Sequence, residues 1–544
     1  METALSEFLT KISPIYNGTR YEIPLPKLSP RERLRRRLAF RNNIYVYNRS
    51  SSASGERIFS MFTEGVPFPV FENEVWWGDS WDGLAQGRAF DSARPFFQQF
   101  AELRDVSPHR ARSSTRVENC DYCNNVNRLR DCYLVFNSAE VEDCMYGEKI
   151  PLCRDCVDCT ECYRCELCYD CTACSSCFML QSSLFCDGCN ESYFLRNCRS
   201  CSHCFGCVNL RHREYCIFNQ QYTKAEYETR LASLDLASYR NRLRLARECD
   251  EFFRKQPVPH IHAVFCEDVS GNCLNQCRNT ADSYFVSETE DVHGGLGLYD
   301  GVKNCRDYSY FGNNAELVYE SVQCGIGVFN LRFCYDCWEN NSDLLYCWMC
   351  AGCKHCFGCV SLQKKEYCIL NKQYTKEEYE ALVPKIISCM VQSGEWGEFF
   401  PMSLSPHPYN RTVAQRYFPL SRAECEKQKL SWFEQDDQAL RGARSVAEIP
   451  DEVPQADEQL VVSSIGSGRP FRITVEELRR YRKFKVPLPR LSYDERMDAR
   501  MRTLGGLELF MRTCARTGRE VLTSYGEELY PIVWERAVFE QEYN

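Results

Sequence analysis

Every cysteine between Cys120 and Cys216 stands at a position divisible by three. There are 20 of them in those 97 residues. They run unbroken through Cys153, Cys156, Cys159, Cys162, Cys165, Cys168, Cys171, Cys174 and Cys177, then resume at Cys186, Cys189, Cys198, Cys201, Cys204, Cys207 and Cys216. Where the register lacks cysteine it holds mainly small or apolar residues: Val126, Leu129, Val135, Ser138, Val141, Gly147, Ile150, Leu180, Ser183, Leu195 and Leu210. A helix repeats near 3.6 residues and a simple strand near 2, so neither accounts for a sustained period of three.

A period of twelve lies on top of the first. Cys120, Cys132, Cys144, Cys156 and Cys168 are twelve apart, and Cys204 and Cys216 rejoin the column. Four inward positions per turn define a very narrow, right-handed β-solenoid whose coils stack at the strand spacing of about 4.8 Å. The inward register resembles the twelve-residue coils of insect antifreeze β-helices. A bore that tight admits cysteine, serine, glycine and small aliphatics, so the composition follows from the geometry. The fold class expected is mainly β with α, a cysteine-lined solenoid of two repeat halves with helical caps and small ribbon-like terminal modules.

The second half is announced by duplication. Residues 198–228 match 350–380 at 21 of 31 positions, so Cys198, Cys201, Cys204, Cys207 and Cys216 answer to Cys350, Cys353, Cys356, Cys359 and Cys368. Internal repetition of this size marks a repeat architecture. Between Cys266 and Cys337 the phase is mixed, and insertions such as 293–301 (HGGLGLYDG) are expected to interrupt the coils. Each repeat ends in a T-x-x-E capping box, Thr223/Glu226 and Thr375/Glu378, which starts a helix over the open solenoid end. The first such helix is expected to continue to about Lys255, with Tyr227, Leu231, Leu234 and Leu243 on one side. The organisation read this way is a module at 1–118, solenoid at 119–222, helical insert at 223–264, solenoid at 265–374, helical cap at 375–400, irregular connection at 401–470 and a terminal module at 471–544. The two ends are themselves related, Ile23–Ser29 (IPLPKLS) answering to Val486–Ser492 (VPLPRLS).

The strings HCFGCVNL, EYCIFNQQYTKAEYE, EWGEFFPMSLSP, VWWGDSWDG and PFRITVEELRRYRK resemble an uncharacterised cysteine-rich family abundant in bacteria of the candidate phyla radiation. The resemblance covers nearly the whole length. It implies zinc-ribbon knuckles flanking the cysteine-rich centre, which fall here at Ser51/Ser54 with Glu72/Val75 and at Cys514/Thr517 with Trp534/Ala537. One cysteine in eight positions cannot supply two tetrahedral sites, since structural zinc takes four ligands. These modules are therefore expected to keep the ribbon shape without metal, packed around Trp76, Trp77 and Trp81.

A net charge of −9 excludes a globally basic protein. No apolar run approaches the roughly 18–20 residues of a membrane span, and Met1–Leu28 carries no signal-peptide pattern. The reading is cytoplasmic, where dense cysteine points to metal or redox chemistry rather than disulfides. Zinc is the leading ligand. Two inward positions on one coil and two on the next form CxxC-x8-CxxC tetrads at Cys153, Cys156, Cys165, Cys168, at Cys159, Cys162, Cys171, Cys174 and at Cys186, Cys189, Cys198, Cys201. Thiols that merely fill the bore, a disulfide ladder, and iron–sulfur clusters in an electron-transfer rod are the alternatives. Arg31, Arg33, Arg35, Arg36, Arg37 and Arg41 crowd one helix, either as an RNA, ribosome or acidic-partner contact or pairing carboxylates on a solvated face. His203 and His355 should point outward, and His260 and His262 lie in a loop. No catalytic or nucleotide-binding signature stands out, and no small-molecule substrate is suggested. The chain reads as a non-enzymatic, metal-thiolate scaffold or binding protein with a protein partner.

Overall fold

The computed structural model describes the whole chain except residues 1, 149, 151–152, 154–177, 300, 311, 314, 317, 321, 323–324, 326–331, 334, 337–340, 435–441 and 544. Its body is a β-solenoid of about 17 turns with roughly 12 residues per turn, and helices lie outside it. The period of three has a backbone cause. In the first coils the residue before each inward position is left-handed: Arg116, Asn119, Tyr122, Asn125, Arg128, Asp131, Leu134, Asn137, Glu140, Asp143 and Tyr146 all have φ between 50° and 61°. One such residue per side turns the strand sharply, and four sides close a coil. Asn, Asp and Gly tolerate this conformation best, which is why they recur at these corners.

Successive coils pair in parallel, as Ser114 with Val126 and Val126 with Ser138, or Cys204 with Cys216. Polar side chains stack outside along the same twelve-residue step, Asn119 on Asp131 (3.0 Å) and Asn197 on Asn209 (2.9 Å). Inside, the cysteines share one core with Val126, Leu129, Val135, Val141, Ile150, Leu180 and Leu195.

The second half does not interrupt its coils where an insertion was expected; it changes their length. Ala263 pairs with Leu274, eleven residues on, because Gly271 (φ 128°) cuts the corner, where a Cβ would lie 1.7 Å from the Ser283 carbonyl. From Leu296 the bridges run to Ser309, Val322, Tyr335 and Trp348, each thirteen residues on, before Trp348 pairs with Val360 at twelve. One short coil and four long ones account for the mixed cysteine phases. The extra residue makes room for the larger Tyr308, which shares the core with Val302, Cys305, Ala315 and Val318. Cys273 stands at a left-handed corner, outside the bore, and packs with the surrounding helices.

Each half ends by folding back on itself. Gln220–Gln221 returns antiparallel on Glu214–Ile217 through left-handed Phe218 and Asn219, and Lys372–Gln373 returns on Cys368–Ile369 through Leu370 and Asn371. Two consecutive positive φ values are those of a tight hairpin turn. The capping boxes at Thr223 and Thr375 then start helices Lys224–Ser233 and Lys376–Ser393. The first helix is not continuous to Lys255. Left-handed Asp235 breaks it and Ser238 caps a separate helix, Tyr239–Phe253, leaving Leu243 exposed. That second helix buries Leu245, Cys249 and Phe253 against Phe194, Phe205 and Val208 of the first half.

The terminal modules repeat one hairpin three times. Tyr47–Ser50 with Arg57–Ser60, Leu460–Ser463 with Pro470–Ile473 and Phe510–Thr513 with Glu520–Thr523 have the same four-pair register. Gly55, Gly468 and Gly518 take positive φ at the same place in each loop. The middle copy begins inside the stretch expected to be irregular, 401–470, and closes at the start of the terminal module. Attachment to the solenoid is duplicated too, Val70 pairing with His109 as Val533 pairs with Val258. The N-terminal module packs Phe62, Trp76, Phe96 and Phe100 on the second half, while Leu478, Tyr481 and Phe484 pack on Met145 and Tyr146 of the first. Trp76 is buried and Trp77 is not. Among the described residues, no helix is long and apolar enough to cross a membrane.

A candidate thiol site in the bore

Most inward thiols point their single proton at the carbonyl two residues back, and several also lie within reach of the carbonyl nine residues on. Cys132 Sγ reaches the carbonyls of Arg130 (3.2 Å) and Val141 (3.6 Å), Cys198 those of Arg196 and Cys207 (both 3.5 Å), and Cys350 those of Trp348 and Cys359 (both 3.6 Å). Serines on the same register copy the first bond: Ser138 donates to the Phe136 carbonyl and Ser192 to the Asn190 carbonyl, both at 2.7 Å. Their oxygens also accept an amide twelve residues on, from Ile150 (3.1 Å) and Cys204 (3.0 Å). The inward side chain thus caps polar backbone at the tight corners, which a buried carbonyl requires. Cysteine performs this with an apolar body that fills the bore.

The thiols also touch one another. Cys186 contacts Cys189 beside it and Cys198 on the next coil, while Cys201 contacts Cys189 and Cys198. The four form a closed circuit, two from each coil. Titration within it is collective. Donation from Cys189 and Cys198 holds Cys201 well below the ordinary thiol range, whereas burial pushes Cys186 and Cys198 well above it. In the second half Cys350 and Cys356 likewise hold Cys353 low, to about 4.

The tetrad Cys186, Cys189, Cys198, Cys201 is therefore brought together and buried. Cys153 is buried as well, but Cys156, Cys159, Cys162, Cys165, Cys168, Cys171 and Cys174 lie outside the described residues. Among the described residues, no group of three or more His, Cys, Asp or Glu is arranged to hold a metal ion. The donor chemistry of the tetrad suits zinc, but the sulfurs turn toward carbonyls rather than a common centre.

The six arginines do not form an open basic face. Arg33 bonds Asp307 (2.6 Å), Arg36 bonds Glu320 (2.7 Å) and Glu398 (2.8 Å), and Arg37 lies 3.4 Å from Asp307, all buried against the second half. Arg41 bonds Asn137 (2.6 Å) and covers the Tyr310 ring at 3.8 Å. Arg35 bonds the Tyr409 hydroxyl (3.2 Å) and Gln428 (2.8 Å), and the exposed Arg31 pairs with Glu508 (2.6 Å). The helix Pro30–Leu38 is a docking element rather than a solvated one. Its spacing could not announce this, because the carboxylates lie some 270 residues or more away.

His203 and His355 sit at left-handed outer corners, beside Glu191 (2.7 Å) and Asp343 (3.7 Å). His262 stacks on Phe185 at 3.8 Å, and burial lowers its pKa to about 4. At the ribbon positions, Ser51 Oγ accepts amides from Ala53 (3.1 Å) and Ser54 (3.4 Å) and bonds Glu72, while Cys514 Sγ accepts amides from Thr517 (3.4 Å) and Glu535 (3.1 Å). Ser464 Oγ accepts the Gly466 amide (3.4 Å) and bonds Glu495 in the middle copy, which the sequence reading missed although S-x-x-S-G recurs at 51–55 and 464–468. No protein-family model and no curated protein matches this chain.

Proposed function

We propose that this chain is a non-enzymatic scaffold whose thiol bore takes up thiophilic metal ions, zinc foremost. The observation that carries the reading is the closed circuit Cys186–Cys189–Cys201–Cys198, four contacting thiols drawn from adjacent coils. Tetrahedral zinc bonds sulfur at about 2.3 Å, which places neighbouring sulfurs roughly 3.8 Å apart. Cys186, Cys189, Cys198 and Cys201 would hold the ion in place of their donor bonds to the carbonyls of Leu184, Asp187, Arg196 and Arg199. Protons leave as metal enters, so uptake strengthens as pH rises.

Metal analysis with thiol counting on anaerobically purified protein tests this. At least one zinc per chain is expected, with Cys186→Ser/Cys201→Ser losing one equivalent while the fold persists. Zinc and iron both well below one per chain would leave a solenoid of neutral thiols and remove the metal reading.

A further inference from the structure

The first coils of the two halves begin from equivalent parts and end differently. In the first half, the hairpin pair Asn48 and Phe59 lies against the solenoid: the Phe59 ring is 4.5 Å from that of Tyr122, and Asn48 donates to the Tyr122 hydroxyl at 2.9 Å. The equivalent pair in the third hairpin is Met511 and Leu522, directly opposed across the strands and 53% and 47% exposed. Their cover is gone because the corner that carries Tyr122 in the first half is Gly271 in the second, inside the eleven-residue coil.

The open edges differ in the same sense. The first strand of the first half, Ser114–Glu118, presents Arg116 and Glu118 outward. Charge on an unpaired edge discourages strand association. At the Arg116 position the second half carries Phe265, left-handed (φ 53°) and 83% exposed. A bare ring is poorly solvated, which favours covering it.

We propose that this end of the second half is an interface for a second copy of the chain, with Phe265 of each protomer entering the gap over Gly271 beside Met511 and Leu522 of the other. The gap lacks one ring and the same end of the same chain offers one. Knob and socket on one surface make a self-complementary, two-fold contact. The interface stands apart from the bore and does not depend on metal.

Sedimentation velocity of the full chain across the micromolar range tests it. The wild type should sediment as a dimer, and Phe265→Arg or Leu522→Arg should raise the dissociation constant by about 100-fold or more. Circular dichroism spectra that superimpose on the wild type's establish that the variants fold. As a second measurement, p-benzoylphenylalanine at position 265, photolysed in a mixture of light and isotope-labelled protein, should crosslink between molecules to 510–523. A wild type monomeric throughout, variants that dimerise as tightly as the wild type, or crosslinks confined to single chains would overturn the proposal.

Discussion

In its described coils the first half of the solenoid keeps twelve residues per turn and a core dominated by cysteine; the second adds a residue to four coils and admits Tyr308. Two descendants of one repeat have thus solved the same packing problem at two bore widths. Inward side-chain volume and coil length are coupled, because a protein interior tolerates neither voids nor overlap. Where the second half returns to twelve residues after Trp348, cysteine takes up the unbroken triplet spacing of the first half, at Cys350, Cys353, Cys356 and Cys359.

That coupling can be broken from either side. Tyr308→Ala should cost about 3–5 kcal/mol by leaving a hole in a wide coil, and Cys204→Tyr should cost more than about 3 kcal/mol by overfilling a narrow one. Both are read from urea denaturation midpoints, and equal tolerance of tyrosine in the two halves would end the bore-width account. The arginine helix braces the second half through buried ion pairs. Removing the charge of buried Asp307 with Asp307→Asn should cost about 3 kcal/mol, because Arg37 loses a carboxylate partner and Arg33 is left with Glu320. Burial raises the Asp307 pKa, but Arg37 and Arg33 outweigh it and the net shift is downward. Its contribution is accordingly present above the ordinary carboxylate range and lost as pH falls below about 4. A wild-type stability profile that loses no more than that of Asp307→Asn on acidification would contradict this.

Smaller effects sharpen the picture of the bore. Cys204→Ser should cost about 1 kcal/mol or less, since Ser192 directly below makes the corresponding carbonyl bond. A much larger loss in metal-free protein would show that sulfur does more than cap the corner. Smallest of all, Arg116→Asn should stabilise by roughly 0.5 kcal/mol by relieving a left-handed corner. A destabilised variant in thermal melts would show that Arg116 has a role beyond occupying the turn.

Several of these features were legible in the residues. The triplet register announced an inward face because only a square coil brings each third residue to one axis. The repeat at 198–228 and 350–380 located the second half, and Thr223 and Thr375 marked the helix starts. The candidate tetrad Cys186, Cys189, Cys198, Cys201 could be named from spacing. Coil length in the second half could not, because a single extra residue per turn leaves a local sequence that still resembles strand and turn. The middle hairpin was hidden because its loop carries Ser464 and Ser467 where a knuckle would carry cysteines. Leu243 was misplaced because a helix break at Asp235 costs little and rotates the following face.

The sequence by itself determined the shape of the bore: sulfur at every third position is a local constraint, satisfied by one left-handed corner per side wherever the chain happens to be. Only the tertiary structure decided which half receives the arginine helix, how the three hairpins are shared between the halves, and which hairpin face stays open. Those choices rest on pairs such as Arg33 with Asp307 and Phe59 with Tyr122, whose partners are far apart along the chain and meet only once the solenoid has wound.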